Sequence, residues 1–148
     1  MNHTPGKRSF VAAAGSLLAG AFVVSRAQAA DTGTRPNRLV IQVSDNDPGK
    51  WGLALANAQN VINDLGADNV SLEIVVYGPG IGMLKKGSPV AARIAGALKS
   101  GMQIVACENT MRAQQLTQED MLPEIGYVPA GVVELMKKQQ QGYAYIRP

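Results

Sequence analysis

A single cysteine, Cys107, and a single histidine, His3, are all that this 148-residue chain offers of the side chains most used for metal binding and nucleophilic chemistry. One cysteine excludes an internal disulfide; the thiol is buried filler, half of an intermolecular bridge, or a reactive centre. The histidine falls in a segment that reads as a cleaved leader, so the remainder has no imidazole. That removes a Ser-His-Asp triad, a Cys-His pair and a histidine-rich zinc site together. No metal or cofactor is expected. The chain also lacks internal repeats, coiled-coil heptads, low-complexity tracts and any run of about 20 apolar residues long enough to span a membrane.

The leader carries much of the remaining signal. Lys7-Arg8 form a basic start, Phe10 to Val24 is apolar and uncharged, and Ala27-Gln28-Ala29 fits a small-x-small cleavage site. Residues 1–29 therefore read as a signal peptide cut after Ala29, with a periplasmic or secreted product and no stable membrane anchor after cleavage. Lys7-Arg8-Ser9-Phe10-Val11 resembles a twin-arginine signal with lysine in the first place, which leaves a Tat-like and a Sec route both open. Three of the 14 basic residues (Lys7, Arg8, Arg26) lie in this leader, leaving 11 against 11 acidic ones. The mature chain is thus near neutrality, and a nucleic-acid partner, which needs a basic face, is not expected.

Residues 30–37, rich in Thr, Gly and Pro, form a flexible lead-in to one domain over 38–148. Leu39 to Val43 reads as a strand. Asp47-Pro48 then starts a helix, with an acceptor side chain at the cap and proline at the first helical position. Trp51, Leu55, Ala58, Ile62 and Leu65 follow at helical spacing until Gly66. Val70 to Tyr77 is a second strand. Ser88-Pro89 open a second helix that buries Val90, Ile94 and Ala97 and ends at Gly101, and Met102 to Cys107 is a third strand. Thr110 to Leu122 has helical composition with weak periodicity. Ile125 to Val128 reads as a short strand, and Pro129 begins a helix turning Val132, Val133 and Met136 inward. Tyr143 to Ile146 is a last strand, with Tyr143 and Tyr145 on one face in packing or subunit contacts. Strands separated by helices imply parallel pairing and a three-layer α/β/α sandwich.

Ligands in such sheets collect at the carboxyl ends of the strands. Ser44 to Lys50, Gly78 to Ser88 and Cys107 to Thr110 should meet there. Gly78-Pro-Gly80-Ile-Gly82 lacks the G-x-G-x-x-G spacing, and Gly87 is followed by serine where a P-loop has lysine, so the segment reads as a flexible glycine loop. Asp45-Asn46-Asp47 has no glutamate at the twelfth position of a calcium loop, where Ala56 stands. Trp51 lies on an apolar stripe, in the core or at an oligomer contact. A helix starting at Asn109 or Thr110 would aim amides at the Cys107 sulfur and favour thiolate, while Glu108 would oppose ionisation if close.

The layout, together with Val76-Tyr77-Gly78-Pro79-Gly80, Ala106-Cys107-Glu108-Asn109-Thr110-Met111 and Tyr127-Val-Pro-Ala-Gly131-Val-Val-Glu-Leu135, resembles the DsrE/DsrF-like family over nearly the whole mature chain. The resemblance implies a five-stranded, mostly parallel sheet and a homo-oligomer, trimer or hexamer. It also implies a sulfur-relay role with a sulfur-donor or acceptor protein as partner, Cys107 matching the cysteine that carries sulfur as a persulfide. On this reading Asn109 and Thr110 stabilise the thiolate, and Gly78, Gly80 and Gly82 line the site. The alternative is a non-catalytic oligomeric binding module with an inert cysteine. Exposure separates the two, since a carrier needs an accessible thiol and a module tolerates a buried one.

Overall fold

The computed structural model describes residues 35–148; the leader and the start of the lead-in lie outside the described residues. Five strands form one sheet: β1 (Asn37–Val43), β2 (Val70–Val76), β3 (Gln103–Cys107), β4 (Gly126–Val128) and β5 (Ala144–Ile146). Every pairing is parallel, in the order β4-β3-β2-β1-β5. The helices are α1 (Pro48–Leu65), α2 (Ala91–Lys99), α3 (Glu108–Ala113) and α4 (Gly131–Gln140). Among the described residues no helix is long and apolar enough to cross a membrane.

The alternation of side chains along each strand sorts the core into two unequal layers. Leu39, Ile41, Leu72, Ile74, Val76, Ile104 and Ala106 point to one face and pack with Trp51, Leu55 and Ile62 of α1 and Ile94 of α2. Val40, Val75 and Val105 point to the other and meet Leu135 of α4. The chain steps steadily from β1 to β4 with α1 and α2 on the first face, then returns across the sheet to β5. A right-handed return in the reverse direction must cross on the opposite face, which is where α4 lies.

Local signals account for the boundaries. Asp47 caps α1, its Oδ1 accepting the Gly49 N–H at 2.8 Å, and Gly66 closes it at φ 85°, where other residues are strained. Trp51 is core: it is 4 % exposed, and its Nε1 donates to the Asp45 carbonyl at 2.7 Å. Arg35 and Asn37 are already tied to Val70 and Asn69, at 3.0 and 3.1 Å, so the part of the lead-in that is described belongs to the sheet margin. Tyr143 and Tyr145 do share a face, their hydroxyls meeting Ser71 Oγ at 2.7 Å and Gln42 Oε1 at 2.6 Å.

Several expectations are corrected. The glycine segment is a 3-10 helix, Gly78–Leu84, not a flexible loop. It is pinned from behind, the Leu122 N–H reaching the Leu84 carbonyl at 2.8 Å and the Lys86 N–H the Asp120 carbonyl at 2.9 Å. Ser88-Pro89 form a turn, and α2 starts at Ala91. Of the weakly periodic stretch Thr110 to Leu122, only Thr110 to Ala113 is α-helix, as the end of α3, and a 3-10 turn follows at Gln118–Asp120. Leu65 is 40 % exposed, at the last turn of α1 where the chain leaves the sheet. Val132, Val133 and Met136 point outward, 61, 42 and 51 % exposed, because α4 turns a different stripe to the sheet.

Candidate active site around Cys107

The strands β3 and β4 end side by side, with Cys107 paired to Val128, and the chain leaves them in opposite directions. After β3 it enters α3, whose Met111 joins the α1 and α2 side of the core; after β4 it enters α4 on the other face. Such a divergence between neighbouring strand ends marks the usual ligand position in a parallel sheet. Cys107 is the last residue of β3. Ala106 belongs to the α1 side and Val105 to the α4 side, so alternation turns the Cys107 side chain toward the start of α4.

Hydrogen-bond donors surround the sulfur there. Burial pushes the thiol pKa up, but the Thr110 hydroxyl and the backbone amides of Gly131, Thr110 and Asn109 outweigh it, and the net direction is down from the ordinary value. The Thr110 Oγ1 also accepts the Gly78 N–H at 2.9 Å, which leaves its own proton to point at the sulfur. The Asn109 N–H has the Pro129 carbonyl as a second acceptor at 3.2 Å, so it is the least available of the three amides. With only six residues in α3, its dipole adds little; the ten-residue α4 contributes more through Gly131. A cysteine that merely filled space would be ringed by carbon and its pKa raised. Even so, Cys107 is only 5 % exposed.

The three segments expected to converge do so. Gly78 and Thr110 are bonded as above, and the Gly80 N–H donates to the Ser44 carbonyl at 3.1 Å. The three glycines are not equivalent, however. Gly78, at φ 55°, touches the site. At Gly80 an added Cβ would come within 2.7 Å of the Val43 carbonyl oxygen, and at Gly82 within 3.3 Å of the Trp51 ring, so these two let the 3-10 helix lie flat on β1 and α1. The Asn109 side-chain oxygen accepts a hydrogen bond from Arg112, and it is the Asn109 backbone amide that acts on the thiol. Glu108 borders a separate surface groove with Arg112 and Tyr127.

Sequence reasoning missed Gly131 and Tyr77. A Cβ on Gly131 would stand 3.0 Å from the Tyr77 Cβ; glycine alone lets the start of α4 come close enough for its amide to reach the sulfur. The available signal was topological, since a helix that follows a parallel strand begins at the same carboxyl edge as the ends of its neighbours.

The fold and the site define a class: a parallel α/β/α protein with its one cysteine in a cradle of donors at the end of a central strand. The chain belongs to the DsrE/DsrF-like family, whose model matches residues 37–148. Among solved structures it is similar to MTH1491, a protein of unknown function from Methanobacterium thermoautotrophicum, with 30% identity and a TM-score of 0.72 over 76% of this chain and 99% of that one. It also resembles BT1422 of Bacteroides thetaiotaomicron, another protein of unknown function, with 17% identity and a TM-score of 0.63 over 76% and 95% of the two chains. A third similar fold is the ychN protein of E. coli, with 12% identity and a TM-score of 0.62 over 76% and 99%. No curated protein matches. Membership in the family points to a sulfur-relay kind of role.

Proposed function

We propose that the protein is a periplasmic or secreted sulfur carrier in which Cys107 holds sulfane sulfur as a persulfide. The Cys107 thiolate attacks the outer sulfur of a donor, the donor's S–S bond breaks, and the donor leaves as a thiolate. A second thiolate then attacks the outer sulfur of the Cys107 persulfide, and Cys107 departs as thiolate. Electrons balance in both steps without an added oxidant or reductant. The observation that carries this reading is the cluster of donors on the sulfur, from Thr110 and the amides of Gly131, Thr110 and Asn109. They favour the charged form that both steps need as nucleophile and as leaving group.

A second reading has one observation in its favour: with Cys107 at 5 % exposure, the chain also fits an oligomeric binding module with an inert thiol. The carrier reading requires the cover over the sulfur to open during transfer. Mass spectrometry of the native protein after treatment with a sulfane donor decides between them.

The assembly proposed is a homo-oligomer, trimer or hexamer. Its support is a groove of about 490 Å³ lined by Tyr77, Val132, Met136 and Tyr145, beside the exposed Val133 and Ile146, an apolar surface of the kind that subunits cover. Export rests on the sequence of residues 1–29, and N-terminal sequencing of the exported form, expected to begin at Ala30, tests it.

A further inference from the structure

The residues that α4 turns inward are Gly131, Leu135 and Lys138, spaced i, i+4 and i+7. At 100° per residue these fall within an arc of about 60°, whereas Val132, Val133 and Met136 centre roughly 140° away. Apolar burial alone would turn the second set to the sheet. What opposes it is Glu73, in the middle of β2 and 3 % exposed, whose Oε2 lies 2.6 Å from the Lys138 Nζ. Glu134, at 3.8 Å from the same ammonium, and the Tyr143 ring, with its centroid at 5.0 Å, complete the surroundings.

This pair is poorly arranged as a source of stability. Glu73 Oε1 is buried without any hydrogen-bond partner, and a buried, incompletely satisfied ion pair is commonly no better than apolar side chains of the same volume. Burial raises the Glu73 pKa with Lys138 opposing, and burial lowers that of Lys138 while Glu73 more than restores it. At 2.6 Å the two groups are in direct hydrogen-bonding contact.

We propose that Glu73 and Lys138 are positioning residues for Cys107: their contact fixes the rotation of α4 on the sheet, and thereby holds the Gly131 N–H against the sulfur two turns away. The same rotation leaves Val132, Val133 and Met136 on the outer surface. The inference rests on the carrier reading only in requiring that Cys107 ionise readily.

The test follows thiolate absorbance against pH in the full mature protein, with Cys107→Ser as blank, for wild type, Lys138→Met and the double variant Glu73→Leu/Lys138→Met. The single variant strands a buried carboxyl and is expected to melt earlier. The double variant removes both charges and is expected to melt near the wild-type temperature. Its thiol should nevertheless titrate about one unit higher, about a tenfold loss of thiolate at neutral pH. A double variant with the wild-type melting temperature and the wild-type thiol titration would make the pair a purely structural contact and overturn the proposal alone. A wild-type thiol that titrates at or above the ordinary value would overturn both this proposal and the carrier reading.

Discussion

Gly131→Ala places one methyl group where the site has no room for it. The new Cβ would lie 3.0 Å from Tyr77 Cβ, 3.1 Å from Cδ1 and 3.2 Å from Cγ. Tyr77 cannot yield by changing rotamer, because its Cβ is attached to backbone held by the N–H bond to the Val43 carbonyl at 3.1 Å. The start of α4 must therefore retreat by a few tenths of an ångström, and its amide withdraws from the sulfur. A hydrogen bond to a charged group contributes about 1.5–3 kcal/mol. Losing roughly half of that corresponds to about one unit, since a unit is about 1.4 kcal/mol. Overpacking costs about 1–3 kcal/mol, offset by about 1 kcal/mol of helix propensity gained over glycine. The variant should thus lose about 0–2 kcal/mol of stability while its thiol titrates about one unit higher. Thiolate absorbance against pH and urea unfolding measure the two effects separately. A thiol titration identical to wild type in a destabilised variant would refute the assignment of the Gly131 amide.

Three further outcomes follow from the same geometry. Thr110→Val removes the acceptor of the Gly78 N–H and a donor to the sulfur, so urea unfolding should show a loss of about 1–3 kcal/mol and the thiol should titrate higher, with Thr110→Ser close to wild type. Because the Cys107 pKa is lowered on folding, the stability it contributes is present above the unfolded thiol pKa and lost as pH falls through the folded one. The stability difference between wild type and Cys107→Ser should therefore grow from neutral to alkaline pH, and a flat difference in calorimetry would contradict the lowered value. Light scattering should give the mass of a trimer or hexamer, reduced by Val132→Glu/Met136→Glu on the outward face of α4; a monomeric wild type at every concentration would remove the assembly claim.

What the sequence made legible was whatever depends on neighbours in the chain. Short apolar runs rich in β-branched residues located the central strands, Asp47-Pro48 marked the start of α1, and the order of elements placed Ser44, Gly78 and Cys107 at one edge of the sheet. What it concealed depends on partners far along the chain. The inward face of α4 is chosen by Lys138 meeting Glu73 of β2, and a search for apolar periodicity on the helix alone selects Val132, Val133 and Met136. Gly131 was visible only as part of the Tyr127 to Leu135 motif; its importance lies in the close approach to Tyr77. The glycines of Gly78–Leu84 suggested mobility, yet Gly80 serves to bring backbone against backbone at Val43 and Ser44.

The central claim is that Cys107 carries sulfur, and mass spectrometry of the native mature protein after exposure to a sulfane sulfur donor tests it most directly. The account predicts one or more added sulfur atoms on wild type, their loss on treatment with a second thiol, and no addition to a folded Cys107→Ser. An unmodified wild-type protein, with a thiol that reacts with alkylating reagent only after denaturation, would contradict it.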